Sequence, residues 1–84
     1  MRTAVIGAGA WGTALTRLIY MSADGEVCLW GRDRDSLVAL ESTGKNERYL
    51  PGIDLPVGIP TQSNLAQAVE GAECIVLAVP SNAF

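Results

Sequence analysis

The sequence predicts an α/β fold in which the strands form one parallel sheet. Short apolar runs alternate with helical stretches in the order strand, helix, strand, helix, strand, helix, strand. The run Cys74–Val79 is continuously apolar, as is typical of a strand that is buried on both faces of a parallel sheet. A glycine-rich segment, Gly7–Gly12, joins the first strand to the first helix. Because crossovers between parallel strands are right-handed, we expect the strands to lie in the order 3-2-1-4.

The first half of the chain contains two predicted strands and two predicted helices. Thr3–Ile6 is a β-rich apolar run that ends at a glycine, and Glu26–Trp30 is a second such run that follows an Asp-Gly turn signal. Between them, Thr13–Met21 carries leucine and isoleucine at the spacing i, i+3 and i+4, which marks one face of a helix. Asp33 is a suitable N-cap for a second helix that continues to about Ser42.

The second half begins with a predicted loop. Three prolines lie between residues 51 and 60, so residues 43–56 are expected to be irregular. A short third strand is predicted over Val57–Thr61. Pro60 lacks an amide hydrogen, so it either weakens this strand or places it at a sheet edge. Ser63 is the expected N-cap of a short third helix, and Gly71 is well placed just past the end of that helix. Pro80 then ends the fourth strand.

Composition restricts the function classes open to this chain. It has 84 residues, 49% apolar and 18% charged, which suits at most one folded domain. Six basic and nine acidic side chains give a net charge of −3, so neither nucleic acid nor an anionic membrane surface is an expected partner. No apolar run approaches the roughly 20 residues that span a bilayer, and the amino terminus lacks a signal-peptide pattern, so we expect a cytoplasmic protein.

The cysteines provide no sign of a disulfide or a metal site. Cys28 and Cys74 both lie in apolar runs, where cysteine behaves as a small buried hydrophobe, and we predict free thiols. The chain has no histidine, so two separated cysteines cannot form a zinc cluster. No bound metal is therefore expected.

The glycine-rich segment has the spacing of a dinucleotide-binding turn. Gly7, Gly9 and Gly12 form the pattern G-x-G-x-x-G between an apolar strand and an amphipathic helix. The first glycine permits a sharp turn, the second leaves room for a pyrophosphate, and the third lets the helix pack closely on the strand. Amides at the start of the helix, together with its dipole, would then face the phosphates. A glycine-rich turn of purely structural use is the alternative.

The end of the second strand predicts the choice of cofactor. A carboxylate that holds the adenosine ribose is expected about 20 residues after the glycines. Gly31 and Arg32 occupy that place, whereas Asp33 and Asp35 come later and are expected to cap a helix. Glycine would leave space for a 2′-phosphate, and a guanidinium can pair with that phosphate through two hydrogen bonds. We therefore favour NADP over NAD, with a solvated surface arginine as the alternative.

Two tryptophans have open roles. Trp11 could pack under the first helix, or it could form a wall of the cofactor channel. Trp30, at the end of a strand, is predicted to serve packing, with a place beside the adenine as the alternative.

The chain is too short for a complete doubly wound dinucleotide-binding domain, which has two further strands with their helices. Residues 1–84 are therefore predicted to be the amino-terminal part of a Rossmann-type domain, without a substrate domain. We expect the chain to be a piece of a longer protein.

Four segments resemble bacterial-type glycerol-3-phosphate dehydrogenase. They are GAGAWGTAL at residues 7–15, LWGRD at 29–33, NERYLPG at 46–52 and AVPS at 78–81. The resemblance implies a cytoplasmic NAD(P)-dependent oxidoreductase that interconverts dihydroxyacetone phosphate and sn-glycerol 3-phosphate for phospholipid synthesis, in glycerophospholipid metabolism.

The resemblance also implies which residues contact the cofactor. These are Ala10 and Trp11 in the turn, Arg32 at the second strand, and Tyr49 in the loop that follows. Family members often have serine at the position of Ala10, so a hydroxyl contact to phosphate is lost here. The family's catalytic lysine and phosphate-binding arginine lie in later segments, so no catalytic residue is predicted and the isolated chain is expected to be inactive. The resemblance leaves the assembly open, with a homodimer of the parent protein as one candidate.

Two other functions stay open from the sequence alone. One is a different Rossmann dehydrogenase such as ketopantoate reductase, against which the segment Trp11–Thr13 and the Tyr49 loop argue. The other is a non-catalytic dinucleotide-binding module.

Overall fold

The computed structural model describes residues 1–22, 25–46 and 50–78. Within them, the elements in chain order are β1 (Arg2–Ile6), α1 (Ala10–Tyr20), β2 (Glu26–Trp30), α2 (Arg34–Thr43), β3 (Lys45–Asn46), β4 (Leu50–Asp54), β5 (Thr61–Gln62), α3 (Leu65–Val69) and β6 (Cys74–Leu77). No helix among these residues is long and apolar enough to cross a membrane. They also contain no cluster of three side chains that could hold a metal ion.

Four of the strands form the predicted parallel sheet. Their order in space is β5-β2-β1-β6, and each neighbouring pair is parallel. Since β3 and β4 form a separate hairpin, this is the predicted order 3-2-1-4. The register aligns Ile6 at the end of β1 with Trp30 on β2 and Leu77 on β6. The carboxyl ends of the three strands therefore meet at one edge, where the glycine-rich turn begins.

The largest cluster of buried side chains lies on one face of this sheet, and Ala4 and Ile6 are buried on the other face of β1. In register across β2, β1 and β6, Leu29, Val5 and Val76 lie side by side. Val5 and Leu29 are fully buried, and Val76 packs against them. Four further buried side chains belong to this cluster: Val27, Leu40, Leu55 and Ile59. Removal of these large side chains from water is the main stabilisation of a chain of this size.

The first two helices agree with the sequence. The helix predicted over Thr13–Met21 is present as α1, which starts three residues earlier, directly after Gly9. Asp33 caps α2 as predicted, since its carboxylate accepts hydrogen bonds from the amides of Asp35 (3.1 Å) and Ser36 (3.3 Å). The helix ends at Thr43, and its C-cap is Gly44, whose φ of 72° lies in the left-handed region that favours glycine.

The third helix begins one residue later than predicted. Its N-cap is Asn64, whose amide oxygen accepts a hydrogen bond from the Gln67 amide at 3.0 Å. The prediction of Ser63 as the cap is therefore wrong. The carbonyl oxygen of Ser63 instead accepts a hydrogen bond from the indole of Trp30 at 3.1 Å, and this bond joins the loop to the end of β2.

The predicted loop contains a hairpin. β3 and β4 are antiparallel, with Lys45 paired to Asp54 and Asn46 paired to Leu50. β3 has only two residues, and β4 contains Pro51 and Gly52, so neither strand shows an alternating pattern in the sequence. The predicted strand over Val57–Thr61 is also displaced, because regular pairing starts after the proline, at β5.

The fourth predicted strand is only half covered. Along β6, Cys74 and Val76 are partly buried, whereas Ile75 and Leu77 are 52% and 63% exposed. The prediction that both faces are buried is therefore wrong for this chain. The core face is covered and the opposite face is open. The predicted end of this strand at Val79 and Pro80 lies outside the described residues.

The two cysteines are free thiols, as predicted. Both are partly buried. Burial raises the pKa of the Cys28 thiol above its ordinary value, so the thiol is protonated at neutral pH. This agrees with the predicted role of Cys28 as a small apolar side chain.

Candidate functional site

The glycine-rich turn starts at the carboxyl end of β1. Gly7 has a φ of 119°, which non-glycine residues rarely adopt. Its amide donates a hydrogen bond to the carbonyl oxygen of Trp30 at 2.9 Å, so the turn remains joined to the end of β2. The sharp change of direction predicted at the first glycine is therefore present.

Gly9 is the N-cap of α1 and borders open space. A Cβ built on Gly9 would have no atom within 4 Å, and its φ of −73° lies in an ordinary region. No side chain of the described residues caps α1, whereas Asp33 and Asn64 cap the other two helices. The first amides of α1 are thus left for another acceptor, and the helix dipole favours an anionic one.

Gly12 allows α1 to lie against the turn and the sheet. A Cβ on Gly12 would lie 1.8 Å from the carbonyl oxygen of Gly7 and 3.2 Å from the Cβ of Ala78. No side chain fits at such distances. The close approach predicted for the third glycine is therefore present, and the three glycines serve three different geometric needs.

Ala10 and Trp11 form the exposed start of α1. Ala10 is the first helical residue, and Trp11 is 66% exposed. The alternative that Trp11 packs under the helix is therefore wrong. An indole at the first turn of α1, beside the open space at Gly9, is placed where it could contact a ligand of the turn.

Gly31 does not leave open space. A Cβ there would lie 2.8 Å from the Cβ of Ala8 and 3.2 Å from the Leu37 side chain. The prediction that glycine provides room for a phosphate is wrong, because close packing between the turn, β2 and α2 accounts for this residue. Arg32, the next residue, is exposed at the same edge of the sheet as the glycine turn.

A buried polar network that the sequence does not predict joins Asn46 to the turn. The side chain of Asn46 is 5% exposed, and its amide group donates hydrogen bonds to Thr13 Oγ1 (2.9 Å) and to the Ala8 carbonyl oxygen (3.2 Å). Thr13 Oγ1 donates to the same carbonyl oxygen at 3.2 Å. The two bonds from Asn46 span 38 and 33 residues of sequence, so no local pattern signals them.

The amide oxygen of Asn46 has no hydrogen-bond partner among the described residues. An unpaired buried acceptor costs about 1–3 kcal/mol of stability. The site is therefore not arranged for maximal stability alone. Tyr49, the remaining predicted contact, lies outside the described residues.

A parallel sheet whose first strand turns through G-x-G-x-x-G into an uncapped helix defines the dinucleotide-binding, or Rossmann, class. The family model for the amino terminus of NAD-dependent glycerol-3-phosphate dehydrogenase matches residues 2–84. The chain belongs to this family. The match favours the predicted glycerol-3-phosphate dehydrogenase family over the alternative of a ketopantoate reductase.

Curated relatives and solved structures agree with this assignment. The chain is 47% identical over 83 residues to glycerol-3-phosphate dehydrogenase [NAD(P)+] of Stenotrophomonas maltophilia. The alignment covers 99% of this chain and 24% of that relative. It is 46% identical to the protein of the same name from an Anaeromyxobacter species, with 99% and 25% covered. The chain thus spans about a quarter of the length of these relatives.

Among solved structures, glycerol-3-phosphate dehydrogenase of Coxiella burnetii matches with a TM-score of 0.79 and 34% identity, over 95% of this chain and 24% of that one. The Plasmodium falciparum enzyme matches with a TM-score of 0.84 and 26% identity, over 95% and 25% of the two chains.

Proposed function

We propose that residues 1–84 are the amino-terminal part of the NAD(P)-binding domain of a glycerol-3-phosphate dehydrogenase. The complete protein would interconvert dihydroxyacetone phosphate and sn-glycerol 3-phosphate with NAD(P)H, in the cytoplasm and in the service of phospholipid synthesis. The observation that carries the proposal is the turn at Gly7–Gly12, which opens into an uncapped helix in a chain of this family.

The turn would hold the pyrophosphate of the cofactor. The open space at Gly9 lets phosphate oxygens approach bare backbone, and the first amides of α1 would donate hydrogen bonds to them. Ala10 would contribute its backbone amide only, since it lacks the hydroxyl common at this position. Trp11 would cover the bound cofactor from the solvent side. When bound, the nicotinamide supplies the hydride.

The segment would bind and orient the cofactor, but it would not supply the catalytic residues of the reaction. Its lysine, Lys45, lies exposed on β3, and we assign it no catalytic role. The acid that protonates the substrate oxygen and the groups that bind the substrate phosphate are proposed to lie in other segments of the complete protein, as is any homodimer interface.

We expect no turnover by the isolated 84-residue chain. Hydride transfer needs both a bound nicotinamide and a positioned acid, and the chain offers only part of the cofactor site. The measurement is the loss of NADPH absorbance with dihydroxyacetone phosphate, for the purified segment and for the complete protein. Turnover by the complete protein alone is expected. Turnover by the segment would contradict the division of roles, and no turnover by the complete protein would contradict the proposed function.

Cofactor preference is proposed to depend on Arg32. Its exposed guanidinium, at the strand edge that also carries the turn, can pair with the 2′-phosphate of NADP. Since a charge-assisted hydrogen bond contributes about 1.5–3 kcal/mol, the preference for NADPH over NADH should be about 10- to 100-fold.

Arg32→Ala is expected to remove most of this preference and to leave the reaction with NADH nearly unchanged. The measurement is the ratio of kcat/KM for the two cofactors in the complete protein. Gly31→Asp would be a poor test, because the new side chain meets Ala8 before it reaches any ligand. Arg34→Ala, two residues along on the exposed start of α2, is the matched control. A ratio that Arg32→Ala does not change would show Arg32 to be a solvated surface residue.

A further inference from the structure

We infer that Asn46 is a positioning residue that sets the direction of the phosphate-binding amides. The inference rests on the proposed function and deepens it, since it concerns how the same turn is prepared for its ligand. Asn46 belongs to the β3–β4 hairpin, which stands outside the main sheet.

The Ala8–Gly9 peptide lies between the Asn46 side chain and the start of α1. The Ala8 carbonyl oxygen accepts hydrogen bonds from the amide group of Asn46 and from the hydroxyl of Thr13, each at 3.2 Å. Both donors belong to buried side chains, so this carbonyl is held toward the protein interior. Because a trans peptide unit is planar, its C=O and N–H groups point in opposite directions. The N–H of Gly9 must then point away from Asn46 and Thr13.

Open space borders Gly9, and the proposal is that the Gly9 N–H faces it. A Cβ on Gly9 would have no atom within 4 Å, so there is room for a ligand at this residue. The carbonyl oxygen of Gly9 is already occupied, because it accepts the first hydrogen bond of α1 from the Thr13 amide at 3.0 Å. The Thr13 amide thus holds the Gly9–Ala10 peptide. Asn46 in turn holds Thr13, because its amide group donates a 2.9 Å hydrogen bond to the Thr13 hydroxyl.

Asn46 therefore acts on the ligand through the backbone. Without the amide group of Asn46, the Ala8 carbonyl oxygen would keep only the hydrogen bond from Thr13, and the Ala8–Gly9 peptide would be held less firmly in this orientation. A rotated peptide would present a carbonyl oxygen, which repels phosphate, in place of an N–H that binds it. Pre-organisation of this kind lowers the free-energy cost of ligand binding without any direct contact to the ligand.

The test is cofactor affinity in the complete protein, measured by calorimetric titration with NADPH and with ADP-ribose. ADP-ribose carries the pyrophosphate and lacks the nicotinamide. Asn46→Ala removes two hydrogen bonds, to the Ala8 carbonyl oxygen and to Thr13 Oγ1. We expect both ligands to bind about tenfold more weakly to this variant. The kcat for dihydroxyacetone phosphate reduction should stay within about twofold, and the KM for that substrate should not change.

Asn64→Ala is the matched control. Asn64 is also an asparagine that bonds to the backbone, but it caps α3 and lies outside the proposed site. We expect this variant to lower the thermal unfolding midpoint while the affinity for both ligands stays at the wild-type value. If Asn46→Ala behaves in the same way, with lower stability and unchanged affinity, Asn46 is merely structural and the inference is overturned. A loss for NADPH without an equal loss for ADP-ribose would overturn it too.

A second pair of variants covers the case in which Asn46→Ala does not fold. Thr13→Val replaces the hydroxyl with a methyl of similar size, and Thr13→Ser keeps the hydroxyl. We expect ADP-ribose to bind about three- to tenfold more weakly to the valine variant than to the serine variant, since the network is broken only in the former. Equal affinities would contradict the inference. If the wild-type protein bound neither ligand, the proposed function would fail instead.

Discussion

Gly12→Ala is expected to destabilise the protein by about 3 kcal/mol or more, although alanine is the better helix former by about 1 kcal/mol. The reason is steric. The new methyl group would lie 1.8 Å from the carbonyl oxygen of Gly7 and 3.2 Å from the Cβ of Ala78. The first neighbour is a backbone atom and the second is the methyl group of an alanine. Neither can move aside unless α1 shifts away from the sheet. The measurement is the midpoint of thermal or urea unfolding of the complete protein.

Gly9→Ala is the control for this prediction. It makes the same chemical change three residues earlier, where the added methyl group has open space and the φ of −73° suits alanine. Glycine is somewhat better than alanine at an N-cap, so we expect a loss of at most about 1 kcal/mol. Equal losses for the two variants would show that helix propensity, rather than close packing at Gly12, governs this turn.

Gly9→Val is expected to abolish cofactor binding while the fold is retained. The extended backbone of Gly9 is accessible to valine, so stability should change little. The branched side chain would occupy the space in which phosphate oxygens meet the amides of α1. The loss of even one charge-assisted hydrogen bond there corresponds to about 10- to 100-fold in affinity, and the loss of two corresponds to more.

Calorimetric titration with NADPH would check this second expectation, with circular dichroism to confirm that the variant is folded. An unchanged dissociation constant in a folded Gly9→Val protein would mean that the phosphates bind elsewhere. The glycine spacing would then serve packing alone.

The sheet and the turn could be predicted from the sequence because both depend on local signals. An apolar run such as Thr3–Ile6 specifies a strand through its own composition, and the glycine spacing specifies a turn within six residues. Asp33 could be predicted as a cap for the same reason, since its partners are the next few amides.

The rest depends on contacts between distant parts of the chain. Asn46 reaches Ala8 across 38 residues, and nothing near Asn46 in the sequence indicates that partner. The packing at Gly31 follows from Ala8 and Leu37, which arrive from two other elements. The position of Gly31 in the sequence predicts space for a ligand, whereas its contacts in the structure show close packing.

The coverage of β6 could not be predicted for a related reason. The continuous apolar run correctly indicates a strand, but burial of Ile75 and Leu77 needs a layer that the described residues do not supply. An apolar composition shows that both faces of a strand are suited to burial, but burial itself depends on which other elements pack against each face.

The most direct test of the central claim is a crystal structure of the complete protein with NADPH bound. We predict that oxygens of the cofactor pyrophosphate will lie within about 2.7–3.2 Å of backbone nitrogens at the start of α1, beside Gly9. Trp11 is expected to contact the cofactor in the same structure. A cofactor whose pyrophosphate lies away from the turn at Gly7–Gly12 would contradict the account.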